Sequence, residues 1–76
     1  PALSGAERRA VEKEIASTER RLDKLSAGVD DIHRRMAAHD QSDYEGLRRL
    51  TERLRELEGE TARLEERWLE LSELVG

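Results

Sequence analysis

Two apolar series run along the chain, and each advances by alternating steps of four and three residues. The first comprises Val11, Ile15, Leu22, Leu25, Val29, Ile32 and Met36, with Thr18 as its polar member. The second comprises Leu47, Leu50, Leu54, Leu57, Leu64, Trp68, Leu71 and Val75, with Thr61 as its polar member. Such spacing keeps every member on one stripe of a helix. Sustained over about four heptads, it predicts a coiled coil rather than a lone amphipathic helix. The strict repeat of seven predicts a left-handed supercoil. The expected fold class is therefore all-α, an antiparallel two-helix coiled-coil hairpin.

The series are separated by His39-Asp40-Gln41-Ser42-Asp43. Ser42 followed by Glu45 reads as a capping box that starts the second helix, and Asp43 suits the positive end of its dipole. Ser4 and Glu7 form the same motif at the front, with Leu3 placed to act as a hydrophobic staple. These signals predict one domain over 1–76, with a helix at about 5–38, a turn at about 39–42 and a helix at about 43–75. Each helix is then roughly 50 Å long. So short a connection predicts antiparallel neighbours. The expected register sets Ile32 opposite Leu47, Leu25 opposite Leu54, Ile15 opposite Leu64 and Val11 opposite Trp68. It also sets Thr18 opposite Thr61, so that two polar seam positions meet. Gly28 and Gly59 fall inside the helices, each at a cost of about 1 kcal/mol relative to Ala, and are expected at bends or close contacts.

Composition narrows the function. In 76 residues, 42% are charged and 36% hydrophobic, with one Trp, one Tyr and no Phe. A core this small encloses no deep pocket, so no small-molecule substrate is expected. The absence of Cys excludes disulfides and thiolate metal sites and suits the cytosol. No apolar run approaches the roughly 20 residues that span a bilayer. Because the chain begins at Pro1, a C-terminal fragment of a larger protein is expected. Net charge is −4 overall, but residues 1–38 are slightly basic and residues 39–76 acidic. Global acidity disfavours non-specific nucleic-acid binding, while local basic patches still permit it.

Chemistry-bearing motifs are few. No phosphate-binding loop or dinucleotide fingerprint is present. His33 and His39 straddle a helix end without further ligands at useful spacing, so no metal is expected. Carboxylates on exposed helix faces are not tuned for acid–base work, so no catalytic residue is expected. Basic residues are more suggestive. The position farthest from the seam gives Lys13, Arg20 and Arg34 on helix one, a basic spine, and Glu52, Glu66 and Glu73 on helix two, an acidic one. Arg35, Arg48, Arg49 and Arg53 gather near the turn. Two readings stand for these arginines: a solvated, salt-paired surface, or an arm that grips nucleic-acid phosphates without reading sequence. Tyr44 beside them stacks on a base or covers the turn. Trp68 is expected in the core against Val11. Leu69 and Leu74 widen the apolar stripe, closing the open end with Leu3 or docking on a preceding domain.

The opening Leu3-Ser4-Gly5-Ala6-Glu7-Arg8-Arg9 resembles the L-S-x-x-E-x-R start of the C-terminal domain of ABC-F ATPases. The ending Leu64-Glu65-Glu66-Arg67-Trp68-Leu69-Glu70-Leu71 is similar to the E-x-x-W-x-E-L exit of that domain. Ile15, Glu19, Leu22 and Leu25 match its first coil, and Asp43-Tyr44 resembles its acidic–aromatic turn. The resemblance implies a soluble cytoplasmic parent with two upstream ATP-binding cassettes, which would hold ATP and magnesium and carry out hydrolysis. It also implies action on ribosomes, or DNA binding in the Uup-like branch. The fragment itself is then a non-catalytic arm, with no cofactor of its own, whose partners are branched DNA or ribosomal RNA and the cassettes of the same chain. This chain is less basic than DNA-binding Uup-like tails. Two other readings remain: a protein-interaction or dimerisation coil, and the tRNA-contacting arm of an aminoacyl-tRNA synthetase.

Overall fold

A computed structural model describes residues 2–76; the start of the expected domain at Pro1 lies outside them. Two helices, α1 (Gly5–Ala38) and α2 (Tyr44–Val75), make up the fold. They pack along their length into a hairpin with extents of 58 × 15 × 14 Å. The 34 residues of α1 account for about 51 Å of the long dimension at 1.5 Å each and the turn and ends for the remainder, so neither helix folds back on itself.

The start of α1 follows the expected capping box. The Ser4 backbone N–H donates to Glu7 Oε1 at 3.0 Å, and the Glu7 backbone N–H donates to Ser4 Oγ at 3.1 Å. Leu3, the expected staple, is half-buried. The start of α2 differs from expectation. Asp43 is the N-cap and accepts from the Gly46 backbone N–H at 3.1 Å. Ser42 turns the other way, donating through its backbone N–H and its hydroxyl to Asp40 Oδ1 at 2.9 and 2.7 Å. Asp40 thus takes the group that would have capped α2, and the helix begins one residue later. The open carbonyls ending α1 are met by Gln41, whose Nε2 donates to Met36 O and His39 O at 3.1 and 2.8 Å. At the far end Arg8 Nη2 donates to Val75 O at 3.2 Å, closing the base with a cation at the negative end of α2.

The fully buried set is narrower than the two apolar series. The buried residues are Thr18, Leu25 and Ile32 on α1 and Leu57 and Leu71 on α2. Each is reached by a step of three from the preceding seam position, so both helices turn the same class of position inward. Leu25, Ile32 and Leu57 form one cluster, with Val29, Met36, Leu50, Leu54 and Leu64 packed against it. A Cβ at Gly28 would stand 3.4 Å from Leu57 Cδ1. The cross-helix pairs Arg21–Glu60 and Glu14–Arg67 keep the helices within about two residues of the expected alignment, and the Leu57 side chain leans toward Gly28. The threonines do not need one another: Thr61 Oγ1 donates to Leu57 O at 2.8 Å within its own helix, a local bond that satisfies a part-buried hydroxyl. Trp68 lies on the seam but is only half-buried, and its Nε1 donates to Glu19 Oε2 at 3.2 Å. Leu69 and Leu74 are exposed and close nothing.

Two expectations for stability follow from this packing. A Cβ at Gly28 or Gly59 meets only ordinary contacts, at 3.4 Å from Leu57 and 3.5 Å from Arg63. Gly28→Ala and Gly59→Ala are each expected to stabilise by about 0.5–1 kcal/mol through helix propensity, raising the thermal midpoint by a few degrees in circular dichroism. A lowered midpoint contradicts the packing described. The second concerns acid. Hydrogen bonds hold four carboxyls below their ordinary values: Glu7 by Ser4, Glu14 by Arg67, Asp40 by Ser42, and Asp43 by Gly46 and His39. Each binds its proton less readily folded than unfolded. Their contribution is therefore complete above the ordinary carboxylate range near pH ~4 and is lost as pH falls through the lowered values. Thermal midpoints measured from pH 7 downward should hold to about that point and then drop; a rise on acidification would contradict the assignment.

Candidate nucleic-acid interface

In an antiparallel hairpin, the residues that immediately precede the first class of seam position line one shared edge. On α1 these are Glu14, Arg21, Gly28 and Arg35, preceding Ile15, Leu22, Val29 and Met36. On α2 they are Gly46, Arg53, Glu60 and Arg67, preceding Leu47, Leu54, Thr61 and Trp68. Two rungs of this edge are joined between helices. Arg67 Nε and Nη2 donate to Glu14 at 2.8 and 3.2 Å. Arg21 grips Glu60 in a forked arrangement, with Nη2 at 2.9 Å from both oxygens and Nε at 3.1 Å from Oε1.

Toward the turn the pattern changes. Seven residues on along each helix, Arg53 falls opposite Gly28. After another seven, Arg35 falls opposite Gly46. Gly28 brings neither a carboxylate nor bulk, so the edge opens at that rung, whereas the space above Gly46 is taken by Asp43 and His39. Arg21, Lys24, Gly28, Arg35 and Arg53 line one groove together with the carboxylate of Asp31. Arg35, Arg49 and Arg53 line the next, over a floor of Ile32, Ala38 and Leu50. The guanidiniums are held by carboxylates of their own helices: Arg35 by Asp31 at 2.8 Å, Arg53 by Glu56 at 3.1 Å and Arg49 by Glu45 at 3.8 Å. All of these pairs are exposed. Such contacts contribute at most about 1 kcal/mol, so an incoming phosphate can replace them.

His39 and Gly46 shape the turn side of this groove. His39 Nε2 lies 2.8 Å from Asp43 Oδ2, and Asp43 in turn caps α2. The space above Gly46 is filled by these two side chains, and a Cβ there would collide with both. Gly46 is thus required by the cap, whereas Gly28 packs on Leu57 with room for a Cβ at an ordinary contact distance of 3.4 Å. Tyr44 is 79% exposed, so it does not cover the turn.

The candidate residues fall into groups. Arg35, Arg49 and Arg53 come together. Lys13, Arg20 and Arg34 lie on the outward spine, and Lys13 stands about 38 Å from the turn along α1. Arg20 lies beside Arg21 and Lys24 on a shallow surface. Arg34 is 3.8 Å from Asp31. Arg48 is engaged by both Glu45 and Glu52, which raises its pKa, chiefly through the Glu45 hydrogen bond. Arg21, Lys24 and His39 border the site but were not among the residues the spacing singled out. They become apparent only once the shared edge is traced across both helices. Among the described residues, no group of three or more His, Cys, Asp or Glu side chains is disposed to hold a metal ion, and no helix is long and apolar enough to cross a membrane.

A family model described as the ABC transporter C-terminal domain matches residues 3–73, spanning both helices and the turn. No curated protein and no solved structure matches the chain. The match accounts for the two coils and the turn between them as one unit, and the chain belongs to the ABC transporter C-terminal domain family, an accessory domain of ATP-binding cassette proteins.

Proposed function

We propose that the hairpin is a non-catalytic nucleic-acid-binding arm of an ABC-F ATP-binding protein, and that it grips phosphates along the open edge near its turn. The observation that carries this reading is the break in the edge. Two rungs pair arginine with glutamate between helices, and at the next Arg53 shares a groove with Gly28, which carries no side chain to pair with it. Glu66 and Glu73 lie toward the other end of α2, where salt screens them from the turn, and the carboxylates beside the arginines, Asp31, Glu45 and Glu56, form exposed pairs that a phosphate can replace. Arg35, Arg49 and Arg53 are the principal contacts, and Arg21 and Lys24 extend them along the edge. Arg48, Arg20, Lys13 and Arg34 are secondary. In this reading the partner is branched DNA or ribosomal RNA, the parent is cytoplasmic, and ATP and magnesium belong to cassettes elsewhere in the same protein.

A protein-interaction coil is the second reading, favoured by the exposure of Leu69 and Leu74. It requires a dimeric mass in solution. The family match favours neither a synthetase arm nor contact with tRNA.

Binding to a branched DNA junction and to ribosomes, measured at several salt concentrations, tests the proposal. Affinity should fall steeply with salt, and Arg49→Glu should reduce the salt slope by about one phosphate contact. Gly28→Glu should weaken binding about tenfold or more by giving Arg53 the partner that Glu60 gives Arg21. Gly28→Ala should leave binding unchanged. Lys13→Glu should act weakly. Binding that is absent, or indifferent to salt and to Gly28→Glu, would remove this mechanism.

A further inference from the structure

The groove nearest the turn has a feature that phosphate binding does not use. Its rim is basic, formed by Arg35, Arg49 and Arg53, but its floor is apolar, formed by Ile32, Ala38 and Leu50. Phosphate oxygens need donors and positive charge and gain nothing from an apolar floor. A ligand that uses both must carry an anionic group beside a flat apolar one.

Given the nucleic-acid reading above, on which this step rests, we propose that the groove receives a single unpaired nucleotide. Its base lies on Ala38 and Leu50, and its phosphates meet Arg49 and Arg53. Guanidinium planes stack on bases as well as pairing with phosphates, so the same three side chains serve both parts. A base inside a duplex cannot reach the floor, because its faces are covered by its neighbours. The arm therefore prefers strands with unpaired positions, such as a junction, a loop or a frayed end. Ala38 is the residue to probe. It is exposed at the last position of α1 and borders the groove, so a longer side chain there fills the space without disturbing the seam.

The test compares two strands of equal length and charge, a short oligothymidylate and its abasic counterpart, binding to the chain at one salt concentration. The base should be worth about tenfold in affinity. Ala38→Gln should bring the thymidylate down to the abasic level and leave the abasic strand unchanged. Chemical shifts of the Ala38 and Leu50 methyls should move with thymidylate and not with the abasic strand. Equal binding of the two strands, both weakened by Arg49→Glu, would overturn the base site while leaving the phosphate reading intact. Failure of both strands and of the branched junction would remove both. An acidic peptide displacing nothing but itself binding at the methyls, with no strand bound, would assign the groove to protein and overturn the proposal.

Discussion

Leu57 packs among Leu25, Gly28 and Ile32, and the level at which it does so sets the height of every other residue on α2 relative to α1. Burying the same class of position from both helices is what aligns Arg21 with Glu60 and Glu14 with Arg67. The same alignment sets Arg53 against Gly28 and Arg35 against Gly46. The open, arginine-rimmed end of the edge is thus a consequence of a leucine contact in the core. A large side chain at Gly28 is the one change that acts on both, which gives that position its weight in the account.

The two ends of the hairpin are held by different chemistry. At the base, Arg8 reaches the last carbonyls of α2, and the Ser4–Glu7 box holds the first amides of α1. At the turn, the side chains of Gln41, Asp40 and Asp43 take up backbone groups that the helices leave open. Nearly every stabilising polar contact is exposed, so each contributes little alone. Cohesion comes from the apolar seam, and the charged surface is left free to exchange partners. That division suits an accessory arm whose surface meets another molecule while its own shape stays fixed.

Much of this was legible in the sequence. The step pattern gave both helices and their antiparallel packing, and Ser4 with Glu7 gave the first cap. The second cap was misjudged because a polar side chain is captured by a nearer partner: Asp40 takes Ser42 from its expected role. Trp68 and Tyr44 were misjudged for another reason, since spacing places a residue on a face and does not say how far its ring is covered. Heptads alone allow several registers, because each keeps leucines against leucines. The candidate site depends on register and was legible only in part. The arginines near the turn stood out by clustering, whereas Arg21, Lys24 and the facing glycines have meaning only when both helices are aligned.

The account stands on the height of Leu57 against α1, and nuclear Overhauser contacts in the unmodified protein measure it directly. The Leu57 methyls should show contacts to the α protons of Gly28 and to the side chains of Leu25 and Ile32. Leu57 methyls silent toward Gly28 would contradict this packing. They would also separate Arg53 from the gap it is argued to fill.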